Sequence, residues 1–274
     1  MDIENSKYNS ENFTPYHPEQ YELLKQLENG CSTKVNIFIN NTQVEPSEKN
    51  YKAVILACQL VGVQKLDEGL LEDAYLSFYQ ASQIAREFKD EIAIAGINYQ
   101  LVKFYTKKHN WEKILNLLTE NKLIYQKNNI VADKVLTIIL LSRVYCTFSC
   151  IDTAEKLIQL ATNLNRNHAN QEQFEVIIQI SEMFICTKKQ KHMKSIQLTK
   201  KLITVFEEDP AICKQYTTNY IAQCRFNLAN CYFELGKREL SIANLKSIKK
   251  LISSHPCPVL KENYSLVKAL HEHY

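Results

Sequence analysis

Residues 187–201, TKKQKHMKSIQLTKK, hold six lysines and no acidic residue, with Lys188, Lys189, Lys191 and Lys194 packed into the first half. Such a run attracts phosphate backbones. It contains no arginine and no interleaved aromatic residue, and the chain's pI of about 8.2 lies below the basic footprint of a dedicated nucleic-acid domain. A solvated turn and helix face is the plainer reading, with nucleic-acid contact as the alternative. His271 and His273 near the C-terminus have the spacing of a metal pair, but a terminal solvated helix is much the plainer reading, and no metal site is assigned. Glu207, Glu208 and Asp209 precede Pro210, where solvent would leave their acidity ordinary. The glycine-rich phosphate motifs, H-E-x-x-H and G-x-S-x-G are absent. No catalytic residue and no cofactor follow, and the chain reads as non-enzymatic.

Nine cysteines occur without any C-x-x-C. With no apolar signal segment at the N-terminus they read as reduced thiols of an intracellular protein, cytoplasmic or nuclear. Cys146 with Cys150, and Cys224 with Cys231, are spaced as small buried hydrophobes on a helix. The longest apolar run, AVILAC at 53–58, is far short of the roughly 20 residues of a membrane span. Charge is uneven: residues 1–137 carry 15 basic and 18 acidic groups, and residues 138–274 carry 18 and 12.

The elements that would position these side chains are helices. Five glycines and six prolines in 274 residues are few for a turn-rich or strand-rich chain. Ala74, Ile114 and Ala154 are 40 residues apart, and the places four and seven beyond each are Phe78 and Ala81, Leu118 and Asn121, Ile158 and Ala161. The i, i+4, i+7 spacing is one helix face. An apolar helix precedes each marker, with Gly62, Val102 and Ser142 among its close-packing residues, and Gly69 falls in the turn between the two. Another copy spans 222–256 with Leu228, Ala229, Tyr232, Gly236 and Ser241; the stretch 170–208 has two helices of the right length in a blurred register.

The Gly62, Gly69, Ala74, Phe78, Ala81 set and the later leucine, alanine, tyrosine, glycine and serine set resemble the tetratricopeptide repeat, in a long form of about 40 residues. The fold expected is all-α, an α-solenoid of about five TPR-like hairpins. Its parts would be a disordered leader at 1–16, an N-terminal helix and loop at 17–48, repeats at 49–256 and a C-terminal capping helix at 257–274. The resemblance also implies a groove lined by the first helix of each hairpin. Carried onto this sequence, its side chains are Gln59, Val63, Tyr99, Gln100, Lys103, Lys107, Ile139, Arg143, Phe226, Asn227 and Asn230. A basic groove with aromatic anchors would suit an acidic or partly apolar peptide or helix of a protein partner. The expected role is a scaffold or adaptor subunit of a larger complex. The alternatives are a receptor for a short signalling peptide and a nucleic-acid-associated subunit using 187–201.

Overall fold

The computed structural model describes residues 46–169, 172–209 and 217–254. The expected leader and C-terminal capping helix, and nearly all of 17–48, lie outside the described residues. Within these, ten α-helices follow one another without a strand: α1 (Tyr51–Asp67), α2 (Leu71–Glu87), α3 (Glu91–Lys107), α4 (Trp111–Lys127), α5 (Val131–Thr147), α6 (Ile151–Leu164), α7 (Glu172–Lys188), α8 (His192–Glu208), α9 (Thr217–Glu234) and α10 (Arg238–Ser254). They pair serially into five hairpins, as the repeat requires. The chain divides into two compact units, one ending at Ile124 and one beginning at Tyr125.

Helix starts at Tyr51, Leu71, Glu91, Trp111, Val131 and Ile151 are 20 residues apart. One turn design sets this step. Gly69, Lys89, His109, Asn129, Ser149, Gln190 and Gly236 all have φ between 52° and 80°. At each, the next residue's N–H reaches the carbonyl five residues back, as Leu70 to Lys65 and Cys150 to Tyr145, while the left-handed residue's own N–H bonds three back. This is the Schellman arrangement, which satisfies two orphan carbonyls and reverses the chain. Glycine enters φ > 0 without a Cβ penalty, so Gly69 and Gly236 meet the demand cheaply and Lys89, His109, Ser149 and Gln190 meet it at a cost. Asp90 then caps α3 through the Ala93 N–H at 3.0 Å, and Asn110 caps α4 through Lys113 at 3.1 Å.

The blurred register has a local cause. After α6 the chain makes a π-helical turn over Asn165–Ala169 before α7. A π turn absorbs an extra residue, so the marker step becomes 41, from Ala154 to Ser195, and the face of α8 is Ser195, Thr199 and Leu202. A longer connection then places the last marker at Ser241, followed by Leu245 and Ile248.

Every one of these marker faces is buried, from 0% exposure at Ala74, Phe78, Ala81, Ala154, Ala161, Ser195, Thr199, Leu202, Ser241 and Ile248 to 6% at Leu245. Twelve residues before each marker stands its counterpart on the first helix: Gly62, Val102, Ser142, Met183 and Ala229. At Gly62 the approach is extreme, for a Cβ there would lie 2.4 Å from Cε1 of Phe78. Where serine occupies the seam, its hydroxyl ties the two helices together. Ser142 Oγ donates to the Ala154 carbonyl at 2.9 Å, Ser195 Oγ to Met183 at 3.2 Å, and Ser241 Oγ to Ala229 at 2.6 Å. Asn121, standing where Ala81 and Ala161 stand in other hairpins, is 1% exposed and fully engaged: its Nδ2 donates to the Ala95 carbonyl and its Oδ1 accepts from Asn98, both at 2.9 Å. A buried amide is tolerated on those terms.

In the second unit, apolar clusters link α5, α6 and α7 around Ile138 and Ile158, α7, α8 and α9 around Met183 and Phe206, and α9 and α10 around Ala229 and Ile248. Each fully buried side chain of this size contributes about 1.5–3 kcal/mol.

Candidate interaction surfaces

In the first unit α1 touches α3, and in the second α7 touches both α5 and α9, so first helices lie beside first helices. Their outward row in the first unit begins with Gln59 and Val63 on α1, both half-buried. Gln59 leans over α3 where Gly96 leaves room, its Nε2 lying 3.6 Å from the position of a Cβ there. On α3, Lys103 is exposed with its Nζ 5.0 Å from the centroid of the half-buried Tyr99 ring. Surrounding protein pushes the Lys103 ammonium below the usual lysine range, with Asp67 partly opposing the shift. Among the described residues Lys103 has no carboxylate within ion-pair distance. Lys107, one turn on, donates from Nζ to the Leu66 carbonyl at 2.8 Å and so caps the C-terminus of α1. Gln100 is only 5% exposed and belongs to the interior.

The second unit distributes its predicted residues differently. Arg143 is half-buried, with Nε donating to Ser181 Oγ at 3.4 Å, and Asn230 is exposed on α9. Ile139 at 0% and Phe226 at 8% exposure are core residues, the latter packed with Ala222, Ala229, Leu245 and Ile248. Asn227 is 4% exposed, and its amide knits three helices together. Its Nδ2 donates to Ser195 and Thr199 hydroxyls at 2.8 Å, and its Oδ1 accepts from Thr187 Oγ1 at 2.7 Å. Gln100, Ile139, Phe226 and Asn227 are thus placed inside, because the repeat turns one of each adjacent pair inward. Phe184, at 36% exposure, occupies the place on α7 that Lys103 and Arg143 occupy on α3 and α5. It is found only when the step is lengthened to 41 residues.

The lysine-rich stretch closes α7 and opens α8. Lys188, Lys191 and Lys194 are exposed, but Lys189 is claimed by α6, with Asp152 2.9 Å away and Glu155 hydrogen-bonded on its other side. These carboxylates hold the Lys189 ammonium above its ordinary range. Lys194 and Lys201 lie near Glu182, whose carboxyl burial pushes up. Of the cysteines, Cys58, Cys186, Cys224 and Cys231 are buried, Cys146 is half-buried, and Cys150 is exposed because it lies in the turn after α5 and not on the helix. Burial raises the Cys58 thiol to about 11 and Cys224 to about 12. His271 and His273 lie outside the described residues. No helix among the described residues is long and apolar enough to cross a membrane.

A recess that the sequence did not suggest opens beside α2, α3 and α4 in the first unit. It has a volume of about 170 Å³ and is lined by Tyr75, Tyr79, Ser82, Leu101, Tyr105, Lys113, Asn116 and Leu117. The signal available in sequence was the tyrosine spacing, four residues on α2 and another tyrosine one helix later.

No protein-family model matches the chain, and no curated protein does. Solved structures do. BtubC (BKLC) from P. vanneervenii superposes with a TM-score of 0.61 at 13% identity, over 87% of this chain and 93% of that one. A tetratricopeptide repeat protein from Parabacteroides merdae gives 0.57 at 14%, over 93% and 90%. A signal transduction ATPase with numerous domains from Pyrococcus horikoshii, carrying a tetratricopeptide repeat sensor, gives 0.56 at 16%, over 92% of this chain and 40% of that one. The chain has the all-α fold of the TPR-like solenoids.

Proposed function

We propose that this chain is a non-enzymatic protein-interaction scaffold that holds an acidic, partly apolar segment of a larger protein against the first-helix face of its hairpins. The observation that carries the reading is Lys103. It is exposed, laid against an aromatic ring, held below the usual lysine range by the surrounding protein, and without a carboxylate in ion-pair distance among the described residues, so an incoming acidic side chain would relieve an existing cost. Gln59, Val63, Tyr99 and Lys107 flank it in the first unit, and Arg143, Phe184 and Asn230 offer the same mixture of cation, aromatic ring and amide in the second. The TPR-like fold supports a protein partner and an adaptor role within a complex.

Lys103→Glu and Arg143→Glu, separately and combined, test it. Each is expected to weaken an acidic partner by about 1–3 kcal/mol while leaving the circular dichroism spectrum unchanged. Undiminished binding by the combined variant would refute the assignment. A second reading, reception of a short free peptide on the same face, draws support from the likeness to a protein whose repeats are a sensor. Calorimetric titration with cell-extract peptides separates the two, since a scaffold co-purifies with its partner and a receptor does not. Nucleic-acid binding by 187–201 is disfavoured by the neutralisation of Lys189 and tested by salt-dependent retention on DNA or RNA.

A further inference from the structure

The recess of the first unit lies on different residues from the first-helix row, and it has the makings of a second recognition site. Its walls are three phenols, two leucines, a hydroxyl and an amide, with Lys113 as the only charged side chain among them. The lining rings of Tyr75 and Tyr105 are joined behind the recess by the buried ring of Phe104. Tyr75 and Tyr79 stack at 6.1 Å, Tyr75 meets Phe104 at 5.5 Å, and Phe104 meets Tyr105 edge-on at 5.0 Å. Lys113 stands over the Tyr105 ring at 5.0 Å and donates to its hydroxyl at 3.3 Å. The recess is open to solvent at Tyr79, which is 49% exposed.

Two observations say what it takes. The first is size. A cofactor or metabolite pocket begins near roughly 300 Å³, whereas a cavity of about 150 Å³ accommodates one benzene ring, and this one measures about 170 Å³. That is room for a group the size of one side chain. The second is comparison within the chain. The matching positions in the hairpins of α6, α7 and α8 are Glu155, Gln159, Thr162, Glu182, Cys186, Lys194, Gln197 and Leu198. Only the lysine and one leucine persist, so packing of the repeat does not require the aromatic wall. Tyrosine walls favour an aromatic ring, and a lysine with no carboxylate in ion-pair distance among the described residues favours one beside it.

We infer that the recess is an anchor pocket for one aromatic side chain of a protein partner, with an acidic neighbour of that side chain meeting Lys113. The probes are the capped tripeptides Asp-Phe-Asp, Asp-Ala-Asp and Lys-Phe-Lys, titrated to about 5 mM into the full chain, with leucine methyl and tyrosine ring signals followed by NMR. Asp-Phe-Asp should shift Tyr79, Leu101 and Leu117, and the other two should not. Tyr79→Ala should weaken binding about tenfold or more. Lys113→Glu should reverse the preference toward Lys-Phe-Lys. Both side chains are at the surface, so neither change threatens the fold. Lys103→Glu should leave this binding intact, which separates the pocket from the first-helix row. The proposal is overturned if Asp-Phe-Asp leaves those signals in place, if Asp-Ala-Asp shifts them equally, or if both pocket variants bind as the parent does.

Discussion

Gly62 and Gly96 are both in helix interiors, and the same substitution should move stability in opposite directions at the two. Alanine gains about 1 kcal/mol over glycine in a helix interior, so a glycine with room around it should improve when replaced. Gly96 has room, its nearest neighbour to a new Cβ being Gln59 Nε2 at 3.6 Å. Gly62 has none, with the ring of Phe78 at 2.4, 2.7 and 2.9 Å from that point and the ring itself fully buried. Forcing that ring aside costs about 1–3 kcal/mol. Gly96→Ala should therefore stabilise by about 1 kcal/mol and Gly62→Ala should destabilise by up to about 2 kcal/mol. Their difference isolates the steric cost, because the helix gain is common to both. Urea unfolding followed by circular dichroism measures it, provided the slope with denaturant is unchanged. In a Phe78→Leu background the penalty at Gly62 should largely vanish, a coupling expected only of residues in contact. Equal stabilisation by the two alanines would refute the close helix approach.

The turns make a related prediction: Gly69→Ala and Gly236→Ala should each destabilise by about 1–2 kcal/mol through φ alone, whereas Lys89→Gly and His109→Gly should be neutral to stabilising, as read by thermal unfolding. Asn227→Leu strands the hydroxyls of Ser195, Thr199 and Thr187 and should cost about 3 kcal/mol in the same assay. Among the described cysteines, Cys150 should react promptly with a thiol reagent at neutral pH, while Cys58 and Cys224, raised to about 11 and about 12, should stay silent until denaturant is added. The folded-state pKa of Lys103 lies below its ordinary 10.5, so the folded protein carries a cost that is full at neutral pH and disappears as pH rises past 10.5. Lys103→Met should accordingly stabilise at pH 7, and the gain should vanish in strongly alkaline buffer.

The hairpins were legible because Ala74, Phe78 and Ala81 recur at a fixed spacing that only helix pairs of constant length produce. Gly69 and Gly236 announced their turns, but Lys89, His109 and Ser149 adopt the same backbone without any compositional sign, so the uniform 20-residue step was hidden. The π turn at Asn165–Ala169 explains why spacing failed beyond 170: a single added residue moves Phe184 into the outward row and takes its neighbours out of alignment. The groove residues were harder still. Neighbouring positions on one helix, such as Phe226, Asn227 and Asn230, differ by 100° per residue in direction, and an error of one residue exchanges a surface side chain for a core one. The aromatic recess escaped because it depends on three helices brought together, with each contributing only two or three residues.

The central claim is that a protein segment lies against the first-helix face. Cross-linking mass spectrometry on the partner complex purified from the native cell, with the parent and the combined Lys103→Glu and Arg143→Glu variant side by side, tests it directly. Cross-links from the partner should concentrate on α1, α3, α5, α7 and α9 and be lost in the variant. Cross-links confined to the second helices, or a complex retained in full by the variant, would contradict it.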